Sequence, residues 1–172
     1  MVVNRTRKEA RERRIDKFEI NHAVQHFLTV VARHYADFRG QVSRRDYWTY
    51  VAVYVAVVVF ATILQGILGL GLAPLVQLIL LLPTAGMTAR RLQDTGTNGQ
   101  IAWLFFIPSG ISNLVGLFAA TSFGVLGLLL LLLPLMTLLS LIALVAAIYL
   151  IYLCVQPGTV GVNEFGPDPL GA

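Results

Sequence analysis

Uncharged positions fill most of the chain after residue 46. Between residues 47 and 163 only three side chains carry charge, those of Arg90, Arg91 and Asp94. A bilayer core of about 30 Å is crossed by roughly 20 apolar residues in helical form. The uncharged stretch 47–89 therefore predicts two membrane-spanning helices, over about 47–66 and 73–89, joined by a glycine-rich turn.

A second uncharged stretch, 95–163, predicts two more spans. One is expected over about 101–120. The apolar run 125–155 would be about 46 Å long as a single helix, which is too long for an upright span. Pro134 is expected to kink or break it, and whether 120–134 spans, re-enters or lies in the membrane interface stays open. Small residues recur every four positions in this region, a pattern that lets membrane helices pack closely: Ser112, Gly116, Ala120 and Gly124.

Before the spans, the pattern changes to that of an amphipathic helix over 22–38. Its apolar face consists of Val24, Phe27, Leu28, Val31, Tyr35 and Phe38. Such a helix either packs on the bundle or lies in the lipid interface with its apolar face down, and the interface is the preferred interpretation. His22 and His26 on the polar face are four residues apart, which would suit a metal or a pH sensor. A solvated polar face is preferred, because no Cys or carboxylate stands at ligand spacing beside them.

Together these patterns predict an all-α polytopic membrane protein, an antiparallel bundle of about four transmembrane helices preceded by a basic amphipathic helix. Residues 1–46 would form a basic cytoplasmic head, 47–155 the transmembrane bundle and 156–172 a cytoplasmic tail rich in Gly and Pro.

The composition supports a membrane protein and gives it an orientation. Hydrophobic residues make up 56% of the 172 positions and charged residues 13%, where a soluble domain has about 25% charged residues. Of the 13 Lys and Arg residues, 11 precede residue 47. Since basic segments stay in the cytoplasm, both termini are expected there. Anionic lipid head groups explain this basic cluster better than nucleic acid does, because the membrane holds it beside them.

Candidate chemistry inside the predicted helices is sparse. They contain no ionisable side chain of the kind that marks a proton or ion path, and no nucleophile or carboxylate pair has the arrangement that catalysis needs. We therefore expect no enzyme, cofactor or metal site, and a packing role for Cys154. Gln65, Gln77 and Asn113 are expected to form hydrogen bonds between helices; the alternative is a polar path in a small oligomeric transporter or channel subunit.

Three short motifs fall on one predicted membrane face. They are "FRGQVSRRDYW" (38–48), "RRLQDTGTNG" (90–99) and "PGTVGVNEFGPDP" (157–169). Their order and spacing resemble a small bacterial inner-membrane family catalogued as domain of unknown function 805, over about 27–169. The resemblance implies a multi-pass protein of the bacterial inner membrane.

The match to that family is divergent. Agreeing positions are Phe38, Gly40, Arg44, Tyr47, Trp48, Arg90, Arg91, Leu92, Asp94, Gly99, Pro157, Gly158, Asn163, Phe165, Gly166, Pro167 and Pro169. The departures are Gln41 for Arg, Asp46 for Glu, Gln93 for His, Gln100 for Trp and Glu164 for Arg. Because Gln93 does not titrate, no role of the family histidine transfers to this chain.

The polar residues of the three motifs are the candidate site. Two hypotheses apply to them: a structural cap, or a contact for anionic lipid, a membrane protein partner or a second copy of the chain. Asp46 and Asp94 would then orient guanidinium groups. Arg91 and Asp94, three apart, are expected to pair. The candidate residues are Arg44, Asp46, Trp48, Arg90, Arg91, Asp94 and Asn163.

Overall fold

In the computed structural model of this chain, residues 19–68, 71–121, 126–167 and 169 are described, and of 119–121 and 126–132 only the backbone. Residues 1–18 of the predicted basic head (1–46) lie outside the described residues, as do positions 69–70 of the predicted glycine-rich turn and positions 122–125. The chain forms helix α1 over 19–33, α2 over Arg44–Leu68, α3 over Leu72–Asp94, a 3-10 helix over Gly99–Ala102, α4 over Trp103–Thr121 and α5 over Leu126–Val155.

Four of these segments are long and apolar enough to cross a membrane: Arg44–Leu68, Leu72–Asp94, Gly99–Phe118 and Leu133–Val155. The predicted all-α, polytopic architecture is confirmed. Helix α3 lies at the centre of the bundle, against α2, α4 and α5. Half of its apolar stretch is buried inside the protein, against 6% for α2, so most of the surface of α2 is left for lipid.

The turn between α2 and α3 is closed by an amide side chain. Gln65 Oε1 accepts a hydrogen bond of 2.9 Å from the backbone N–H of Ala73. The first N–H groups of a helix have no partner within the helix, and in lipid no water replaces one. Gln65 thus forms the bond between helices that the sequence predicts, and this bond satisfies one N–H group in the first turn of α3.

Helix α3 is longer than predicted, because it continues through the charged positions to Asp94. Leu92 is fully buried, so the apolar periodicity persists beyond the arginines. The helix then ends in a Schellman motif, in which Gly96 has φ 74° and the N–H of Thr97 donates to the carbonyl of Leu92 at 2.9 Å. The three charges thus lie in the last two turns of a helix rather than in a loop.

Helix α1 is shorter at its C-terminal end than predicted, stopping at residue 33 instead of 38. The two apolar residues beyond that end are used in tertiary contacts. Tyr35 donates its hydroxyl to the carbonyl of Ile79 at 2.6 Å, an acceptor left free because Pro83, four residues on, has no N–H. The Phe38 ring lies 5.6 Å from that of Trp103. These contacts require the chain to leave the helix.

The apolar face of α1 is divided between protein contact and exposure. Phe27 stacks on Tyr50 with ring centroids 5.1 Å apart, and both Phe27 and Val30 are buried. Val24 and Leu28, on the adjoining side, are 39% and 51% exposed. One side of α1 therefore packs on the bundle, which the sequence interpretation ranked second, and the other side remains open.

Helix α5 continues through Pro134 without a break. The long leucine-rich sequence around the proline favours helix strongly, and a backbone in lipid has no alternative partner for its polar groups. A proline removes one N–H donor and its ring crowds the carbonyl four residues earlier, a cost that such a helix absorbs without ending. Of the predicted kink or break at Pro134, a break does not occur, since the described backbone of 126–134 belongs to the same helix as 135–155.

The predicted ladder of small residues does not mediate helix packing at Gly116, where a Cβ atom would meet nothing within 4 Å. The close approach occurs instead at Gly110, where a Cβ atom would lie 2.9 Å from Leu81 Cδ1. The ladder's Ala120 side chain and Gly124 lie outside the described residues. Helical spacing identified the right helix, but this close approach is made by a glycine outside the predicted ladder.

Candidate functional site: a polar cap at one end of the bundle

Polar side chains from three distant segments meet where α3 and α5 end. The segments are the stretch before α2, the last turn of α3 and the tail after α5. We call this cluster the polar cap and define it by the six residues that hydrogen-bond across it: Gln41, Arg91, Gln93, Asp94, Thr159 and Asn163.

A buried ion pair is the centre of the polar cap. Arg91 is 0% exposed and Asp94 3% exposed, and Arg91 Nη1 donates to Asp94 Oδ2. The spacing of three places both side chains on one face of the last helical turn. The pairing that the sequence predicts is therefore observed, and it is enclosed rather than solvated.

The other donors of Arg91 close the end of α5. Its Nε donates to the carbonyl of Cys154 at 3.1 Å, and its Nη2 donates to the carbonyl of Gln156. The last carbonyls of a helix have no partner within the helix and carry partial negative charge. One guanidinium group therefore joins α3 to the C-terminal end of α5 while its charge is balanced by Asp94.

The tail returns across the same aspartate. Thr159 donates twice to the backbone carbonyl of Asp94, from N at 2.8 Å and from Oγ1 at 3.0 Å. Just before it, Gly158 passes so close that a Cβ atom would lie 2.5 Å from Asp94 Oδ2 and 2.9 Å from Asp94 Cγ. Only glycine leaves room for the carboxylate at this position.

Asn163 joins all three segments. Its Nδ2 donates to the carbonyl of Gln93 at 3.0 Å, and its Oδ1 accepts from Gln41 Nε2 at 2.6 Å. Gln41 Nε2 also donates to the carbonyl of Gly166 at 2.8 Å. A single asparagine thus fixes the tail to the end of α3 and to the segment that leads into α2.

Gln93 stands where the family motif has histidine, and its side-chain amide connects the end of α3 to the segment before α2. Its Nε2 donates to the carbonyl of Phe38 at 3.1 Å. Within the described residues, its Oε1 is buried and has no hydrogen-bond partner. The Gln93 side chain therefore binds the segment before α2, and among the described residues its own oxygen has no hydrogen-bond donor.

Arg90 points to a different set of partners from its neighbour Arg91. Its Nη1 lies 3.7 Å from Asp37 Oδ2, and 11% of its side chain is exposed. Its Nη2 contacts Met87 Sδ at 3.0 Å. The partner Asp37 was missed by sequence reasoning. The backbone carbonyl of Asp37 also lies where a Cβ atom on Gly86 would be, at 2.7 Å.

The motif over 38–48 contains the residues that cap the start of α2. Asp46 Oδ2 accepts from Ser43 Oγ at 2.8 Å, while Ser43 Oγ accepts from the N–H of Asp46 at 3.2 Å, an N-terminal capping arrangement. In the described part of the chain, Asp46 therefore contacts Ser43 rather than orienting a guanidinium group. Trp48 packs edge-on against Tyr47, with ring centroids 5.3 Å apart.

Of the seven candidate residues, the structure brings Arg91, Asp94 and Asn163 into the polar cap. Arg44 lies at its margin, exposed, with Nη1 3.5 Å from the carbonyl of Val155. The other three lie apart from the cap: Asp46, Trp48 and Arg90. Sequence reasoning missed the parts played by Gln41 and Thr159. Gln41 was visible only as a departure from the family motif, and nothing in the sequence marked Thr159.

The residues of the polar cap lie in the part of the chain that matches a known protein family. A family model described as "Protein of unknown function (DUF805)" matches residues 35–167, which include the whole polar cap. Inner membrane protein YhaI of Escherichia coli (strain K12) is 38% identical over 88 residues, 49% of this chain and 74% of YhaI. Uncharacterized protein YiiR of the same strain is 33% identical over 73 residues, 41% of this chain and 50% of YiiR. No solved structure matches the chain.

Proposed function

This chain belongs to the DUF805 family of unknown function, and on that premise we propose that it is a non-catalytic protein that binds anionic lipid at the cytoplasmic face. Its four membrane-capable helices and its likeness to YhaI make it a multi-pass inner-membrane protein. In this proposal the polar cap has a structural role, which is to hold the ends of the helices together. The exposed arginines beside it are the binding part.

The observation that carries the proposal is the difference between Arg91 and Arg44. Arg91 is fully buried, and its N–H groups donate to Asp94 and to the carbonyls of Cys154 and Gln156. A guanidinium group engaged in this way is not free to bind a ligand. The polar cap is thus better suited to hold helix ends together than to act on a substrate, and this favours a non-catalytic role.

Arg44 and Arg45 have the opposite character. Both are exposed at the first turn of α2, and the hydrogen bond from Arg44 Nη1 to the carbonyl of Val155, at the end of α5, is long at 3.5 Å. Arginine binds phosphate oxygens with two parallel donors. A basic residue beside an anionic leaflet gains about 1 kcal/mol, and the start of a membrane-spanning helix lies at that level.

The orientation in this proposal follows from the distribution of positive charge. Basic segments stay on the cytoplasmic side, and 11 of the 13 Lys and Arg residues precede residue 47. The polar cap joins the entry of α2, the end of α3 and the tail, so these three segments share one side of the membrane. Both termini would then be cytoplasmic.

The alternative, a small oligomeric transporter or channel subunit, receives less support. Gln65 uses its side-chain oxygen to bind Ala73, which removes one of three amides from a polar path. Since α3 already contacts α2, α4 and α5, a continuous path would need a second copy of the chain. An acidic protein partner is the other occupant that exposed arginines at the start of α2 would suit.

Replacing both Arg44 and Arg45 by Gln is expected to weaken the binding of phosphatidylglycerol roughly thirtyfold, since two arginines each contribute about 1 kcal/mol. Lipid titration into detergent-purified protein, followed by native mass spectrometry, measures this. The matched control is Arg33→Gln with Arg39→Gln, which removes the same charge from exposed positions outside α2.

Equal weakening in both double variants would mean diffuse charge attraction and no site at α2. Unchanged lipid binding in the Arg44 and Arg45 variant would contradict the proposal. The same spectra give the oligomeric mass, and a closed ring that retains no anionic lipid would favour the transporter.

A further inference from the structure

Helix α1 has two apolar sides, of which the bundle covers only one. Phe27 and Val30 face the bundle and are buried. A second group of apolar side chains lies roughly 90° around the helix from these two, at about 100° per residue. We call this group the open apolar stripe; it consists of Ile20, Val24 and Leu28, which are 62%, 39% and 51% exposed. The apolar surface of α1 is therefore wider than its contact with the bundle.

Polar side chains occupy the remaining side of α1. They are exposed and centre roughly 145° around the helix from the open apolar stripe: His22, Gln25, Thr29 and Arg33. A helix that lies flat in the membrane interface turns an apolar side to the acyl chains and a polar side to the water. The two outer sides of α1 have this arrangement, and its third side rests on the bundle.

Contacts with the membrane-capable helices fix the depth of α1. Phe27 stacks on Tyr50 with ring centroids 5.1 Å apart, and the Tyr50 hydroxyl forms a hydrogen bond of 3.0 Å with Thr84 Oγ1. Tyr50 lies four positions past Asp46, the last charged residue at the start of α2. Thr84 lies six positions before Arg90, the first charged residue of α3. At about 1.5 Å per residue, α1 therefore packs about 6–9 Å inside the charged ends of the two helices.

The chain just after α1 reaches deeper. Tyr35 donates its hydroxyl to the carbonyl of Ile79 at 2.6 Å, and Ile79 lies eleven positions before Arg90, about 16 Å along α3. Within a bilayer no water supplies a donor to such a carbonyl, so Tyr35 replaces the N–H that Pro83 lacks. This bond holds the end of α1 against the membrane-spanning part of α3.

We infer that α1 is an interfacial anchor, whose open apolar stripe contacts the lipid acyl chains of the leaflet beside the polar cap. Amphipathic helices lie about 5–10 Å into the boundary between head groups and acyl chains, and the contacts of α1 place it in that range. The large apolar side chains that α2 exposes begin at Val55, which is 50% exposed and five positions past Tyr50. Apolar surface for lipid thus begins on α2 just beyond the level of α1.

This anchor goes beyond the proposed binding of anionic lipid and does not rest on it. Acyl chains carry no charge, so the contact of the open apolar stripe does not require Arg44 or Arg45. The two placements that the sequence allows for α1, against the bundle and in the lipid interface, then both apply to the same helix.

The test measures the depth of a spin label on α1 in the full-length protein, reconstituted in phosphatidylcholine vesicles. Because Cys154 is fully buried, the unaltered protein is the blank for labelling. At Leu28→Cys, oxygen, which concentrates among acyl chains, should relax the label more than a water-soluble nickel chelate does, giving a depth of about 5–10 Å. Thr29→Cys, one position on and on the polar side, is the matched control, at which the chelate should have the larger effect.

Two results at Leu28→Cys would overturn the anchor. Access of the chelate equal to that at Thr29→Cys would place the open apolar stripe in water. Protection from both reagents would mean that a second copy of the chain or another protein covers the stripe in place of lipid. If Leu28→Cys fails to fold, Val24→Cys gives the same readout.

The anchor and the arginine site fail in different measurements. Replacing Arg44 and Arg45 by Gln should leave the depth at Leu28→Cys unchanged, with or without phosphatidylglycerol in the vesicles. A label that enters the acyl chains only when phosphatidylglycerol is present would show that charge holds α1 in place, and would overturn the anchor. Unchanged binding of phosphatidylglycerol by the double variant contradicts the arginine site alone.

Discussion

Replacing Asp94 by Ala is expected to lower the free energy of unfolding by about 3–5 kcal/mol, the cost of leaving a buried charge without its partner. Arg91 is 0% exposed and cannot turn to water, because its Nε and Nη2 are held by the carbonyls of Cys154 and Gln156. Thermal and denaturant unfolding in mild detergent measures the loss.

Asp46→Ala is the control for Asp94→Ala, because it also removes a carboxylate beside arginines near the same end of the bundle. Asp46 Oδ2 only accepts a hydrogen bond from Ser43, whose Oγ still caps the N–H of residue 46 after the substitution, so the loss should be no more than about 1 kcal/mol. Asp94→Asn keeps a hydrogen-bond acceptor and should fall between the two. A loss for Asp94→Ala no larger than for Asp46→Ala would mean that the aspartate is a solvated surface residue.

Gly158→Ala is the second substitution with a large expected effect, about 1–3 kcal/mol from overpacking. The new Cβ atom would lie 2.5 Å from Asp94 Oδ2, and the carboxylate cannot retreat because it pairs with Arg91. The tail must move instead, which breaks the bonds from Thr159 to the carbonyl of Asp94.

Two readouts follow the displaced tail of Gly158→Ala. The melting temperature should fall, and limited proteolysis should cut the segment after residue 156 faster than in the wild type. Gly116→Ala is the matched control, since nothing lies within 4 Å of its Cβ position and alanine favours helix over glycine by about 1 kcal/mol. If Gly158→Ala has the stability and the proteolysis rate of the wild type, the close contact between residue 158 and Asp94 does not constrain the tail.

The architecture followed from features that are local in sequence. Long uncharged runs predicted four membrane-capable helices, because a bilayer sets the length of its spans. The pairing of Arg91 with Asp94 also needed only helical spacing. The positions of helix ends were harder to predict from the sequence. Pro134, for example, does not interrupt α5, since a leucine-rich helix in lipid tolerates the loss of one N–H donor.

Contacts between distant segments could not be predicted in the same way. Gln41 bonds to Asn163 across 122 positions, and Tyr35 bonds to a carbonyl left free by Pro83. Each depends on the three-dimensional approach of two elements, for which side-chain periodicity carries no information. The family motifs marked Asn163 and Gly158 as matched positions, but only the geometry explains why the two residues occupy these positions.

The claim that the polar cap faces the cytoplasm is tested most directly by thiol labelling at Val160, which lies in the tail beside the cap and is 99% exposed. The native Cys154 is fully buried, so the unaltered protein serves as a blank. A membrane-impermeant thiol reagent should label Val160→Cys in inverted inner-membrane vesicles and not in intact spheroplasts. Labelling in intact spheroplasts would place the tail and the polar cap outside, and would contradict the account.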